Sequence, residues 1–174
     1  MINIQPTLKG ELLELRPLKP EDYDGLLIAA SDPLIWEMHP QPDRYKPDIF
    51  KQFYMEALQS KGALVIIDRT NGEIIGTSRY YDYSPENASI VIGYTFLARK
   101  YWGGRYNREL KKLMVNYALE FVKKTYFHVG LGNKRSQAAM LKIGGINTGI
   151  QEIAVSYAPP KKSYVYKIEK KLES

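Results

Sequence analysis

Apolar and polar positions alternate in part along Glu11-Leu-Leu-Glu-Leu-Arg-Pro-Leu18, which reads as a strand. Pro20-Glu-Asp-Tyr-Asp24 then starts a helix. A proline in the first turn and acidic residues at the positive dipole end are start signals, and Leu26, Leu27 and Ala30 continue the apolar face. Pro33, Pro40, Pro42 and Pro47 argue against a long regular element between Ser31 and Pro47, after which Ile49, Phe50, Phe53, Ala57 and Leu58 recur at helical spacing. Ala63-Leu-Val-Ile-Ile67 is a short apolar run. Asn71-Gly72 marks a hairpin turn, Ile74–Tyr81 returns, and Ser84-Pro-Glu-Asn87 turns again into Ala88–Leu97, which predicts a meander of three antiparallel strands.

The second half continues with a helix over roughly Arg105–Lys124, its apolar face formed by Leu110, Leu113, Met114, Tyr117, Ala118 and Phe121. Tyr126–Leu131 reads as a strand, and Asn133–Ile143 as a helix ended by Gly144-Gly145. Two closing strands, about Ile146–Tyr157 and Tyr164–Leu172, flank a Pro159-Pro160 turn. The order is β-α-α-β-β-β-α-β-α-β-β, a mixed α/β fold. With no repeat, low-complexity tract or linker, residues 1–174 read as a single domain.

Composition adds exclusions. No run of apolar residues is long enough for a membrane span; cysteine is absent, which removes disulfides and thiolate chemistry and leaves the redox compartment open; and no secretory signal is visible, which makes the cytoplasm the expected location. The net charge of +6 is unevenly spread: nine Lys/Arg face fourteen Asp/Glu in residues 1–87, and sixteen face five in residues 88–174. An anionic ligand for the second half and a cationic one for the first are thereby suggested, against a merely solvated surface. The anion has an obvious address. A strand ending near Leu97 runs through Gly103-Gly104 into a long helix, so backbone N–H groups and a helix dipole converge among Arg99, Lys100, Arg105 and Arg108, which suits a polyphosphate.

Three segments, in order and correctly spaced, carry a family resemblance. They are Leu12-Leu-Glu-Leu-Arg-Pro-Leu18 with Asp22; Ile92-Gly-Tyr-Thr-Phe-Leu97 followed by Trp102-Gly-Gly-Arg-Tyr-Asn107 and Glu109; and Asn133-Lys-Arg-Ser-Gln-Ala-Ala139 with Lys142-Ile-Gly-Gly145. Over about residues 10–172 the chain resembles the GNAT N-acetyltransferase superfamily, in particular the branch of ribosomal-protein N-terminal acetyltransferases. The resemblance implies a GNAT-like, mostly antiparallel sheet split between strands 4 and 5 (Ala88–Leu97 and Tyr126–Leu131). Acetyl-CoA would lie in that split as co-substrate, with no metal. Pantetheine would pair with backbone near Phe96 and Leu97. The pyrophosphate would sit on the turn carrying Trp102, Gly103, Gly104, Arg105, Tyr106, Asn107 and Arg108, and Asn133 would contact pantetheine.

The chain departs from the family pattern at three points. Arg105 stands where a phosphate-loop glycine is expected, so its side chain either obstructs the phosphates or folds over them. Val91 replaces the strand glutamate that many members use as a base, and Met140 replaces their tyrosine acid. Ser136 is then the candidate acid for the leaving thiolate; equally, it fits the first turn of a helix capped by Asn133. His39, Glu37, Asp82 and Glu86 are base candidates, while His128 reads as a packed strand residue. Lys111, Lys112 and Lys142 are within reach of a 3′-phosphate. Trp36, Tyr45, Tyr80, Tyr81 and Tyr83, on the acidic half, suggest an aromatic pocket for a protonated amine.

The implied activity is acetyl transfer from acetyl-CoA to a primary amine, a protein N-terminus or a small molecule, by direct attack in a ternary complex. A catalytically silent acyl-CoA binder of the same fold is the alternative. A homodimer is expected by family analogy only. Neither a membrane nor nucleic acid is an expected partner, although basic and aromatic residues interleave around Tyr101–Tyr106.

Overall fold

The β3 run Ala63–Asp68 is buried almost throughout because each face of it meets a different helical layer. Leu64 and Ile66 point one way, into a core completed by Tyr80, Ile90, Ile92, Leu110, Met114 and Met140. Ala63 and Val65 point the other way, against Leu26, Phe50, Phe53, Ala57 and Phe96. A strand covered on both faces reads as a continuous apolar run instead of an alternation.

The computed structural model describes residues 1–155 and 158–171. Around β3 the elements are β1 Leu8–Lys9, β2 Leu13–Pro17, α1 Tyr23–Ala29, α2 Pro47–Ser60, β4 Ile74–Ser84 and β5 Ser89–Leu97, then α3 Arg105–Leu119, β6 Lys124–Gly130, α4 Lys134–Lys142, β7 Ile146–Val155 and β8 Ala158–Glu169. They form one mixed α/β domain around an eight-stranded sheet of order β1-β2-β3-β4-β5-β6-β8-β7, antiparallel everywhere except between β5 and β6. Helices α1 and α2 cover one face, α3 and α4 the other.

The predicted order is observed with one added strand, the two-residue β1, so the strands expected fourth and fifth are β5 and β6. Helix α3 stops at Leu119, five residues short of the expected Lys124, which instead opens β6, and Phe121 is left exposed. The expected Pro159-Pro160 turn is corrected. Both prolines lie inside β8, in a stretch paired with β7 alone, because β6 pairs only from Ser163 onward. A proline on an edge that needs no donor leaves the ladder intact. The expected strand ends at Tyr157 and Leu172 lie outside the described residues.

Glu109 ties the first strands to α3. Its carboxylate accepts the backbone N–H groups of Glu11, Leu12 and Leu13, each at 2.8 Å. Gly10 permits this approach, since a Cβ there would stand 2.6 Å from Glu109 Cδ. Glu109→Ala strands three donors of the β1–β2 turn, and the urea midpoint should fall by the equivalent of about 2–3 kcal/mol. An unchanged midpoint would show that the carboxylate contributes no net stability.

Candidate active site in the cleft between the fifth and sixth strands

Parallel pairing of β5 with β6 consists of three rungs, Ser89–Lys124, Ile90–Thr125 and Val91–Tyr126. Both strands continue, to Leu97 and Gly130, but they diverge. The cause lies in β5. Between Arg79–Gly93 and Thr77–Phe96 the register against β4 gains one residue, and Tyr94 takes φ 52° in the left-handed region. Such a bulge bends its strand away from the neighbouring one. The resulting cleft has a volume of about 800 Å³, with walls from β5, β6, the start of α4, the turn before α3 and the β7–β8 hairpin.

The floor of the cleft suits an anion. Gly103, at φ 82°, makes the turn in a conformation that favours glycine, and a Cβ at Gly103 or Gly104 would meet only open space. Gly104 at the N-cap brings no side chain to the first-turn amides of α3, which leaves them for a ligand. Asn107, Arg108, Lys111 and Lys142 line this end. Burial pulls the Lys111 ammonium, 4.9 Å over the Phe127 ring, down to about 8.

The expected site residues divide into two groups. Leu97, Trp102, Gly103, Gly104, Asn107, Arg108, Asn133 and Ser136 converge on the cleft, as does Phe96, whose ring packs 5.0 Å from that of Trp36. The Leu97 carbonyl accepts the Trp102 indole N–H at 3.0 Å. The side chains of Arg105 and Tyr106 point away: Arg105 Nη2 is 3.5 Å from Glu11 Oε1, and the Tyr106 hydroxyl donates to Asp68 Oδ2 at 3.4 Å. In this arrangement the exposed Arg105 side chain neither obstructs nor covers the turn. Asn133 Oδ1 accepts the Ser136 N–H at 3.1 Å, so Asn133 is the N-cap of α4, and Ser136 is held half-buried in the cleft wall.

Of the base candidates, Glu37 and Glu86 are exposed and outside the cleft, with the Ser84 hydroxyl donating to Glu86 at 2.8 Å; His39 and Asp82 line it. His128, expected in packing, lies half-buried in the cleft wall with Nδ1 3.2 Å from the Tyr81 hydroxyl. Burial lowers the His128 pKa, partly opposed by Asp82. His39 is pushed down to about 4 by burial and then by the charges of Arg44 and Arg135. Both imidazoles are thus neutral at neutral pH. Of the five aromatic residues proposed for the acceptor pocket, Tyr81 lines the cleft, while Trp36 and Tyr80 are core residues.

Sequence reasoning missed Tyr94, Arg44, Lys161 and Arg135, whose guanidinium carbon lies 3.6 Å over the Trp102 ring. Arg135 lies within the quoted Asn133 segment, but spacing alone gives no sign that it crosses to the opposite wall.

His39 also gives a pH signature. Between about pH 4 and its ordinary value near 6.5, the unfolded chain binds a proton that the folded chain refuses. The His39 contribution to stability should therefore rise with pH through that window and level off above it. Urea unfolding of wild type and His39→Gln across the window checks this, with a shallower pH dependence expected in the variant. Identical slopes would contradict a desolvated His39.

The described residues contain no helix long and apolar enough to cross a membrane and no group of three His, Cys, Asp or Glu placed to hold a metal ion. A family model described as Acetyltransferase (GNAT) domain matches residues 13–146. Among curated protein sequences, none matches the chain. Among solved structures, a GCN5-related N-acetyltransferase from Brucella melitensis is 18% identical, with TM-score 0.81 over 95% of this chain and 79% of that one. A Ribosomal-protein-S5-alanine Acetyltransferase from Vibrio fischeri is 15% identical, with TM-score 0.69 over 94% and 96%. A Microcin C7 self immunity acetyltransferase, solved with acetyl-CoA and AMP, is 13% identical, with TM-score 0.77 over 97% and 99%.

Proposed function

Because the chain belongs to the GNAT acetyltransferase family, we propose that it moves the acetyl group of acetyl-CoA to a primary amine, by direct attack in a ternary complex. The observation that carries this reading is the cleft itself: an opened β5 edge leading to an uncapped helix N-terminus with cations beside it. The pyrophosphate belongs on the first-turn amides of α3, with Arg108 and Lys142 toward the phosphates. The solved relative holding acetyl-CoA supports that co-substrate. The acceptor is a protein N-terminus or a small molecule. A homodimer goes with this reading through family likeness, and a cytoplasmic location is part of the same reading.

Each catalytic requirement has a candidate in the chain. The amine must be neutral to attack, and the His128 imidazole, kept neutral by burial and held by Tyr81, is placed to take its proton. Backbone N–H groups where β5 parts from β6 supply donors for the charge that develops on the carbonyl oxygen. The Ser136 hydroxyl, held in the wall by the Asn133 cap, can give a proton to the departing sulfur and regain one from water. Val91 and Met140 are both buried and offer no group for proton transfer. The remaining rate comes from holding amine and thioester together.

Calorimetry and a thiol-release assay test these assignments together. Acetyl-CoA should bind in the micromolar range, and Gly104→Asp, which sets a carboxylate beside the phosphates, should weaken binding by roughly tenfold or more. Unchanged affinity would place the pyrophosphate elsewhere. His128→Gln should lower kcat by about a hundredfold or more, and Ser136→Ala by less, each with acetyl-CoA affinity within a few fold. Full turnover in either variant would remove that residue from the mechanism. Binding with no thiol release on any amine would favour the silent binder.

A further inference from the structure

At the end of the cleft away from α3, two guanidinium groups flank one ring. Arg44 Cζ lies 4.5 Å from the Phe53 centroid and 5.3 Å from that of Trp36. Arg79 Cζ lies 5.9 Å from Phe53 and 4.1 Å from Tyr94. Both arginines are buried, Arg79 being 7% exposed, and Arg79 Nε and Nη2 make no hydrogen bond. Arg44 Nη2 donates to Gln41 Oε1 at 3.1 Å; the aromatic faces around Arg79 stabilise its charge but satisfy none of its N–H donors, and a buried donor without an acceptor is costly to keep. The field of each arginine bears on the other, and the carboxylate whose field reaches Arg79 is Glu56 on α2.

The surroundings extend this cationic corner into the cleft. Lys161 Nζ, from the β7–β8 hairpin, lies 3.5 Å from the Pro40 carbonyl, next to His39, and Arg44, His39 and Lys161 all line the cleft. The Tyr94 ring, 37% exposed and carried by the bulge, covers the Arg79 guanidinium and itself lines the cleft. Tyr94 packs 5.1 Å from Tyr81, and Tyr81 holds His128, so this corner and the candidate base are one or two rings apart. The described cleft lining is not predominantly acidic: its carboxylate residues are Asp82 and Glu152, against Arg44, Arg108, Lys111, Arg135, Lys142 and Lys161.

We propose that the acceptor amine carries an anionic group, a carboxylate or a phosphate, seated on Arg44 and Arg79 beneath Tyr94 and beside Lys161. The acceptor is then a compact amine with its negative group a short distance from the nitrogen, on the scale of an amino acid or a phosphorylated amino alcohol. Polyamines and other purely cationic amines are excluded by charge. This inference rests on the acetyl-transfer reading for its amine end only; the anion subsite stands on the arginines.

Calorimetry on the protein saturated with CoA tests it, because the phosphate site at α3 is then occupied and added anions report the second site. O-phosphoethanolamine and glycylglycine are the phosphate and carboxylate probes, with ethanolamine and glycinamide as their uncharged-tail counterparts. At least one anionic probe should bind roughly tenfold or more tighter than its counterpart, and the stronger of the two identifies the group. Arg44→Gln and Lys161→Gln should each reduce that preference, and Arg44→Lys should restore part of it; Lys51→Gln, on the exposed face of α2, should not change it. Lys161 is exposed, so its variant remains informative even if Arg44→Gln does not fold. Equal binding of charged and uncharged probes, no binding of either anion, or a preference unaffected by these substitutions would overturn the proposal. Should CoA itself fail to bind, the cofactor reading falls separately. The same titrations on the free protein, with Arg108→Gln as the control for the helix end, still decide the subsite.

Discussion

The architecture of the site depends on the loss of pairing between β5 and β6 after three rungs. A parallel ladder that continued would bury both edges and leave no cleft. The extra residue in β5 at Tyr94 costs a left-handed backbone at a non-glycine position, a conformation retained only where its surroundings enforce it. Its return is a strand edge whose amides face a cleft, in a sheet otherwise ordered on both sides. Phe96 and Trp36 on one face, and Leu97 and Leu110 on the other, hold the diverging strand in place.

Electrostatics then divide this one cleft into two ends. At the α3 end, the cations are partly exposed and the donors are backbone amides, an arrangement that suits a flexible polyphosphate entering from solvent. At the other end, Arg44 and Arg79 are buried against aromatic rings, Lys161 is exposed, and the imidazoles are neutral. Arg135, stacked on Trp102 across the cleft, stands between the two and links the α4 wall to the turn before α3.

The parts legible in the sequence are those governed by local rules. Asn71-Gly72 gave its hairpin, the period of Leu110, Met114 and Ala118 gave α3, and Gly103-Gly104 ahead of a helix gave the turn before it. Two-residue β1 was invisible because no period can be read from two positions. Pro159 and Pro160 suggested a turn, yet β8 accommodates them because only one neighbour pairs there, a fact of sheet order that the sequence does not carry. His128 was misjudged because alternate positions of a strand fix which residues share a face but not which face opens on a cleft. Arg105 raised a conflict at sequence level; at the first turn of α3 its side chain reaches outward to Glu11. Arg44, in a proline-rich segment with no periodicity, gave no signal of its own, although it lines the cleft.

Amide hydrogen exchange across residues 92–97, with and without acetyl-CoA, tests most directly whether the opened β5 edge is where the co-substrate lies. Amides on the cleft side of that edge should exchange markedly more slowly in its presence, together with those of the first turn of α3. Slowing at α3 alone, or at neither place, would contradict a cleft that binds acetyl-CoA through the parted strands.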